Sequence, residues 1–153
     1  MMKKLFLLAV LFSAAIASQA QGLNPVSWSY SAKKIADKTY ELYVTATIQD
    51  GWHVFSQVQP KDDAIADPTV ITFNNNPTVT PDGRIREEGK LEKFRDNKLK
   101  VSANQYSKKV DFVQVVKLKA DIKTNVTGEV YYQTCNDEKC LPGKKIKFTI
   151  PIQ

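Results

Sequence analysis

At 153 residues, 42% of them apolar and 25% charged, the chain has the size of one domain (about 100–200 residues) and the composition of a folded protein. This excludes a disordered, collagen-like or disulfide-dense chain. Two Cys, a single His and a net charge of +6 with both signs mixed exclude a multi-histidine metal site and read as a solvated surface.

The first predicted element is a leader. Lys3 and Lys4 form a basic start, Leu5 to Ala17 an apolar core broken only by Ser13, and Ser18-Gln19-Ala20 a small-residue cleavage site. The apolar core is shorter than the ~20 residues a membrane span needs. A cleaved signal peptide is therefore expected over residues 1–20, and a single exported domain over 21–153. Losing Lys3 and Lys4 takes the net charge from +6 to +4. Export argues against a nucleic-acid partner, and no Cys follows the cleavage site to carry a lipid. Met1 and Met2 are the only methionines, so a Met-rich copper site is excluded with the leader. Haem-attachment, thioredoxin-type Cys-x-x-Cys, P-loop and dinucleotide motifs are absent, and no metal or other cofactor is expected.

The rest reads as strands. Tyr40, Leu42, Val44, Ala46 and Ile48 alternate with polar residues, the period-2 pattern of a half-buried strand. Trp28 to Ile35 is expected to pair with it across Ala36-Asp37-Lys38. Asp50-Gly51 marks a turn before the short run Trp52-His53-Val54-Phe55, and Val70 to Phe73 is another short strand. From Pro77 to about Gln105 charges crowd in and the periodicity weakens, which predicts short strands joined by exposed loops. Val110 to Ala120 has apolar residues on both faces, with Gln114 the one polar member of its main face, and reads as a central strand covered on both sides. Gly128 to Gln133 and Lys144 to Ile152 flank Cys-Asn-Asp-Glu-Lys-Cys-Leu-Pro-Gly as partners in a hairpin. Seven to nine strands without a helix predict an all-β, immunoglobulin-like antiparallel β-sandwich.

Cys135 and Cys140 are the only thiols, and an exported address favours a disulfide between them. Closing so short a loop removes only ~2 kcal/mol of chain entropy, little for a structural staple. Staples of immunoglobulin-type domains tie two sheets through distant cysteines, whereas this pair ties a loop to itself. Exposed, strained disulfides are commonly labile or catalytic, so a redox and a structural reading both stand on chemistry alone.

Val-Tyr-Tyr-Gln-Thr-Cys-Asn-Asp-Glu-Lys-Cys-Leu-Pro with its alternating terminal strand resembles the active-site hairpin of the DsbD N-terminal domain family. Ile48-Gln49-Asp50-Gly51-Trp52-His53-Val54-Phe55 is similar to that family's Asp-Gly and following aromatic strand, and Phe94-Arg95-Asp96 is a weaker match. The resemblance implies a periplasmic thiol–disulfide oxidoreductase of a Gram-negative bacterium, with an immunoglobulin-like fold. It would take electrons from a thioredoxin-like donor domain or membrane reductase and pass them to oxidised periplasmic proteins. Cytochrome c biogenesis is one process that could draw on such a carrier. By position, Cys135 and Cys140 match the redox pair, with Cys140 the sulfur that meets partners. The two aromatics flanking the family's active site fall on His53 and Phe55: a proton donor or acceptor beside a thiol, and a shield against water. Lys139, Lys144 and Lys145 near Cys140, against Asp137 and Glu138 after Cys135, also favour a reactive Cys140. Four residues lie between the cysteines here against five in the best-known form, and Gly143 stands where a second proline is frequent. The family's cap loop matches Glu87-Glu88-Gly89-Lys90, which has no aromatic, so any cap must use another residue. Full-length members carry a membrane segment and a thioredoxin domain; without them the donor would be a separate protein. The competing expectation is a secreted immunoglobulin-like binding or scaffold module with a static disulfide.

Overall fold

A computed structural model describes residues 22–153. The signal peptide expected over 1–20 lies outside the described residues. Among the described residues eleven strands run in chain order: β1 (Val26–Ala36), β2 (Thr39–Ile48), β3 (His53–Phe55), β4 (Val70–Phe73), β5 (Val79–Gly89), β6 (Glu92–Asp96), β7 (Val101–Tyr106), β8 (Lys109–Leu118), β9 (Thr124–Tyr132), β10 (Thr134–Cys135) and β11 (Lys144–Ile152). They form three sheets, ordered β1-β2-β8-β5, β10-β3-β7-β6 and β11-β9-β4, and every paired strand is antiparallel.

The first and third sheets make the expected sandwich. Alternation turns Leu42, Val44, Phe112 and Val116 of one sheet and Val130, Phe148 and Ile150 of the other into a single apolar core. Apolar area removed from water at roughly 25 cal/mol per Å² is the main force holding the two layers together. Trp28 packs on Tyr132 at a centroid distance of 5.1 Å and Tyr30 on Phe148 at 5.2 Å, closing the β1–β11 side. The predicted β1–β2 hairpin forms, with a register shift between Lys34 and Ala36, and its turn places Lys38 at φ 51°.

The second sheet raises the count above the seven to nine strands expected. It is built from continuations: β2 runs on into β3, β5 into β6 and β9 into β10, while β7 leads into β8. All four transitions lie at the same end of the sandwich, so this small sheet extends that end.

Between Pro77 and Gln105 the expectation of short strands needs correction, because β5 is an 11-residue strand. It is an edge, paired only with β8, and its charges are those with which exposed edges avoid further pairing. A bulge between Asp82 and Arg86, with Gly83 at φ 74°, breaks the alternation that would have revealed it. The same bulge accounts for Gln114 in the core: its Nε2 donates to the carbonyls of Asp82 and Gly83, each at 3.3 Å, and of Val115 at 2.8 Å. Strand β8 is central, but its second face is covered only in part. Val113, fully buried, lies between Tyr43 and Arg86 in the ladder, and Val115 is half-buried.

Candidate functional site: a disulfide hairpin over an apolar cleft

Strand β9 leaves the sandwich at Tyr132, and two residues later Thr134 and Cys135 join the second sheet opposite Val54 and His53. The chain then reverses over Asp137 and Glu138. Asn136 Oδ1 accepts from the backbone N–H of Glu138 at 3.0 Å and of Lys139 at 2.8 Å, an Asx turn that locks the reversal. Asn136 N–H donates to the Lys139 carbonyl and Leu141 N–H to the Thr134 carbonyl, both at 2.9 Å. Cys135 and Cys140 are the facing pair between those two bonds, the antiparallel position where Cα atoms come closest. They are disulfide-bonded with Cα atoms 4.0 Å apart, nearer than the ~5.5–6 Å typical of disulfides. Cys135 lies in β10, whereas Cys140 lies outside any strand, in a single bridge.

The two sulfurs sit in unlike surroundings. Cys135 is 6% exposed and packs in a small cluster with Phe55 and Ala103, while Cys140 is exposed. Phe55, at 1% exposure, is the wall behind the buried cysteine. His53 faces the same side, as alternation predicts, and its neighbours Trp52 and Val54 turn into the main core. A cleft of about 370 Å³ opens here, lined by Cys135, Cys140, His53, Phe55 and Asp137 and walled by Ile65, Phe94 and Leu99.

All four residues singled out in the sequence meet in this one cleft, but its apolar wall was missed. Phe94 comes from β6, Leu99 from the following turn and Ile65 from the 56–69 segment. The Phe94-Arg95-Asp96 match was the one available signal; nothing local distinguishes Ile65 or Leu99. Glu87, in the stretch matched to the cap loop, is held away from the cleft. Its carboxylate accepts from Ser56 Oγ and Tyr106 OH at 2.7 Å and from Gln57 N–H at 2.6 Å. Burial, followed by this hydrogen bond to Glu87, pushes the Tyr106 phenol well above its ordinary value.

The lysine argument also changes. Lys145 Nζ is paired with Glu129 at 3.2 Å, and among the described residues the cleft lining contains Asp96 and Asp137 but neither Lys nor Arg. What separates the sulfurs is exposure. Gly143 is explained by the ring of Tyr131, which occupies the space a Cβ would need. Tyr131 OH donates to Asp67 Oδ2 at 2.6 Å, fixing the ring there and raising the phenol pKa. Among the described residues, no group of three or more His, Cys, Asp or Glu is placed to hold a metal ion.

No protein-family model and no curated protein matches the chain. Among solved structures it is similar to the N-terminal domain of Neisseria meningitidis DsbD in the reduced form, at 15% identity over 80% of this chain and 83% of that one, with a TM-score of 0.50. The N-terminal periplasmic domain of ScsB from Proteus mirabilis is 13% identical, over 83% of this chain and 44% of that one, at a TM-score of 0.49. A complex between the DsbD and PilB N-terminal domains from Neisseria meningitidis gives 15%, 84%, 87% and 0.49 in the same order. Likeness at 15% identity is a likeness of architecture, and this chain has the all-β, immunoglobulin-like fold of a DsbD N-terminal domain.

Proposed function

We propose that this protein is an exported thiol–disulfide oxidoreductase module working through Cys135 and Cys140. The observation that carries the reading is the asymmetry of the pair: an exposed sulfur at the rim of an apolar cleft, bonded to one buried against Phe55. An incoming thiolate attacks Cys140 Sγ in line with the bond, and the electron pair leaves on Cys135 Sγ. The resulting mixed disulfide is resolved by the donor's second thiol. The donor is a thioredoxin-like domain or membrane reductase, the acceptors are oxidised periplasmic proteins, and the setting is the periplasm. These finer assignments rest on the resemblance of the cysteine hairpin and of the Asp50-Gly51 strand. His53 and Phe55 support the site, the first as proton carrier and the second as the wall that keeps water from Cys135.

Trapping on non-reducing gels with a thioredoxin-like donor tests the reading. Cys135→Ser leaves Cys140 exposed and forms a mixed disulfide; Cys140→Ser leaves only a buried thiol and traps little. Preferential trapping through Cys135 would reverse the assignment. A reduction potential below about −300 mV would instead mark a static bond and favour a binding or scaffold module.

A further inference from the structure

The neighbours of His53 decide which of its ring nitrogens carries a proton. Nδ1 lies 3.0 Å from Ser107 Oγ, and Ser107 Oγ donates to Glu92 Oε2 at 3.0 Å. A carboxylate only accepts, so the one hydroxyl proton of Ser107 is committed to Glu92. The Ser107 oxygen must therefore accept from the ring. The proton sits on Nδ1, and Nε2 of the neutral imidazole is left with a free lone pair. Nε2 is the nitrogen turned toward the hairpin, 3.9 Å from Asp137 Oδ1, and His53 stands opposite Cys135 in the ladder.

The three residues come from separate places: His53 from β3, Ser107 from the β7–β8 turn that Lys108 closes at φ 65°, and Glu92 from the start of β6. We propose that Ser107 and Glu92 are positioning residues that hold His53 as the Nδ1–H tautomer, so that Nε2 carries the proton of thiol–disulfide exchange. This rests on the redox reading above. The donor's first thiol gives its proton to Nε2 as its sulfur attacks Cys140 Sγ. The disulfide breaks, its electron pair leaves on Cys135 Sγ, and the imidazolium returns the proton to that sulfur. The donor's second thiol then attacks its own sulfur in the mixed disulfide and releases Cys140, with its proton passing to Cys140 through solvent. Two electrons and two protons have moved, and the donor departs as a disulfide.

The transient imidazolium has counter-charges on two sides, Asp137 on the hairpin and Glu92 behind Ser107. Asp96 of β6 lines the same cleft, Lys108 beside Ser107 is exposed, and among the described residues no cationic side chain lines the cleft.

Two readouts on the full chain test this. In the oxidised protein labelled with 15N-histidine, His53 should show the Nδ1–H pattern; Ser107→Thr should keep it and Ser107→Ala should lose it. Reduction of the disulfide by dithiothreitol at neutral pH should slow about tenfold or more in His53→Phe and in Ser107→Ala, and stay near the wild-type rate in Ser107→Thr. An Nε2–H tautomer in the wild-type chain, or wild-type rates in both His53→Phe and Ser107→Ala, would overturn the proposal while leaving the redox reading in place. A wild-type disulfide that dithiothreitol does not reduce would instead overturn the redox reading, and the proton role with it.

Discussion

Cys135 and Cys140 share one bond and one hairpin, yet Cys140 is exposed and Cys135 is only 6% exposed. A thiol attacking in line must reach a sulfur from the side opposite its leaving group, and Cys135, packed with Phe55 and Ala103, exposes little surface for such an approach. Phe94, still 41% exposed, lines the same cleft as the disulfide. Phe94→Ser should therefore speed reduction by a small thiol a few-fold while leaving the urea midpoint nearly unchanged, since little buried area is lost. An unchanged rate would show that Phe94 does not shield the bond. Gly143 is constrained by a neighbour rather than by its own backbone. Gly143→Ala must push the Tyr131 ring off Asp67, and overpacking of this kind costs about 1–3 kcal/mol, readable as a lower urea midpoint.

Among elements, β8 and β5 show how a local irregularity can make a buried polar residue necessary. The bulge frees the carbonyls of Asp82 and Gly83, and Gln114, 4% exposed, supplies them with a donor. Gln114→Leu keeps the volume but leaves those carbonyls unpaired, and a loss of about 1–3 kcal/mol is expected in denaturant melts. The disulfide hairpin behaves differently. Its reversal is already held by two backbone hydrogen bonds and the Asn136 side chain, so the covalent bond adds little order. Reduction should cost at most ~2 kcal/mol and leave the sandwich folded. Outright unfolding on reduction would make the bond a structural one.

For the molecule as a whole, the clearest pH dependence lies on the alkaline side. The hydrogen bond to Glu41 pushes the Tyr43 phenol up to about 12, and burial with Glu87 pushes Tyr106 higher still. Unfolded tyrosines ionise near ~10, so above that pH the unfolded state holds fewer protons than the folded one. The stability these groups contribute is complete below about pH 10 and is lost as pH rises through the folded values. Urea midpoints should fall steadily over that window, and Tyr43→Phe should flatten the part of the fall below about pH 12. The same Glu41, Tyr43 and Arg86 cluster acts in the opposite direction in acid. Its hydrogen bonds from Tyr43 and Arg86 hold the Glu41 carboxyl below its ordinary value, so this contribution is present above the unfolded value and lost as pH falls through the folded one.

The sequence by itself determined what repeats over a few residues. Tyr40 to Ile48, Val70 to Phe73 and Lys144 to Ile152 became strands where alternation placed them, and Asp37-Lys38 became their kind of turn. Side chains on a strand switch faces at every step, so a half-buried strand must write its burial into its own pattern. The cysteine hairpin and the shared face of His53 and Phe55 were legible for the same reason. Strand β5 was not, because an edge strand buries little and a bulge resets its phase. The cleft wall, the unequal exposure of the two sulfurs and the contact of His53 with Ser107 and Glu92 were decided only by tertiary structure. They join segments far apart in the chain, His53 to Ser107 across 54 positions and Phe55 to Cys135 across 135 − 55 = 80, and no local period can encode which distant strand ends arrive at the same place.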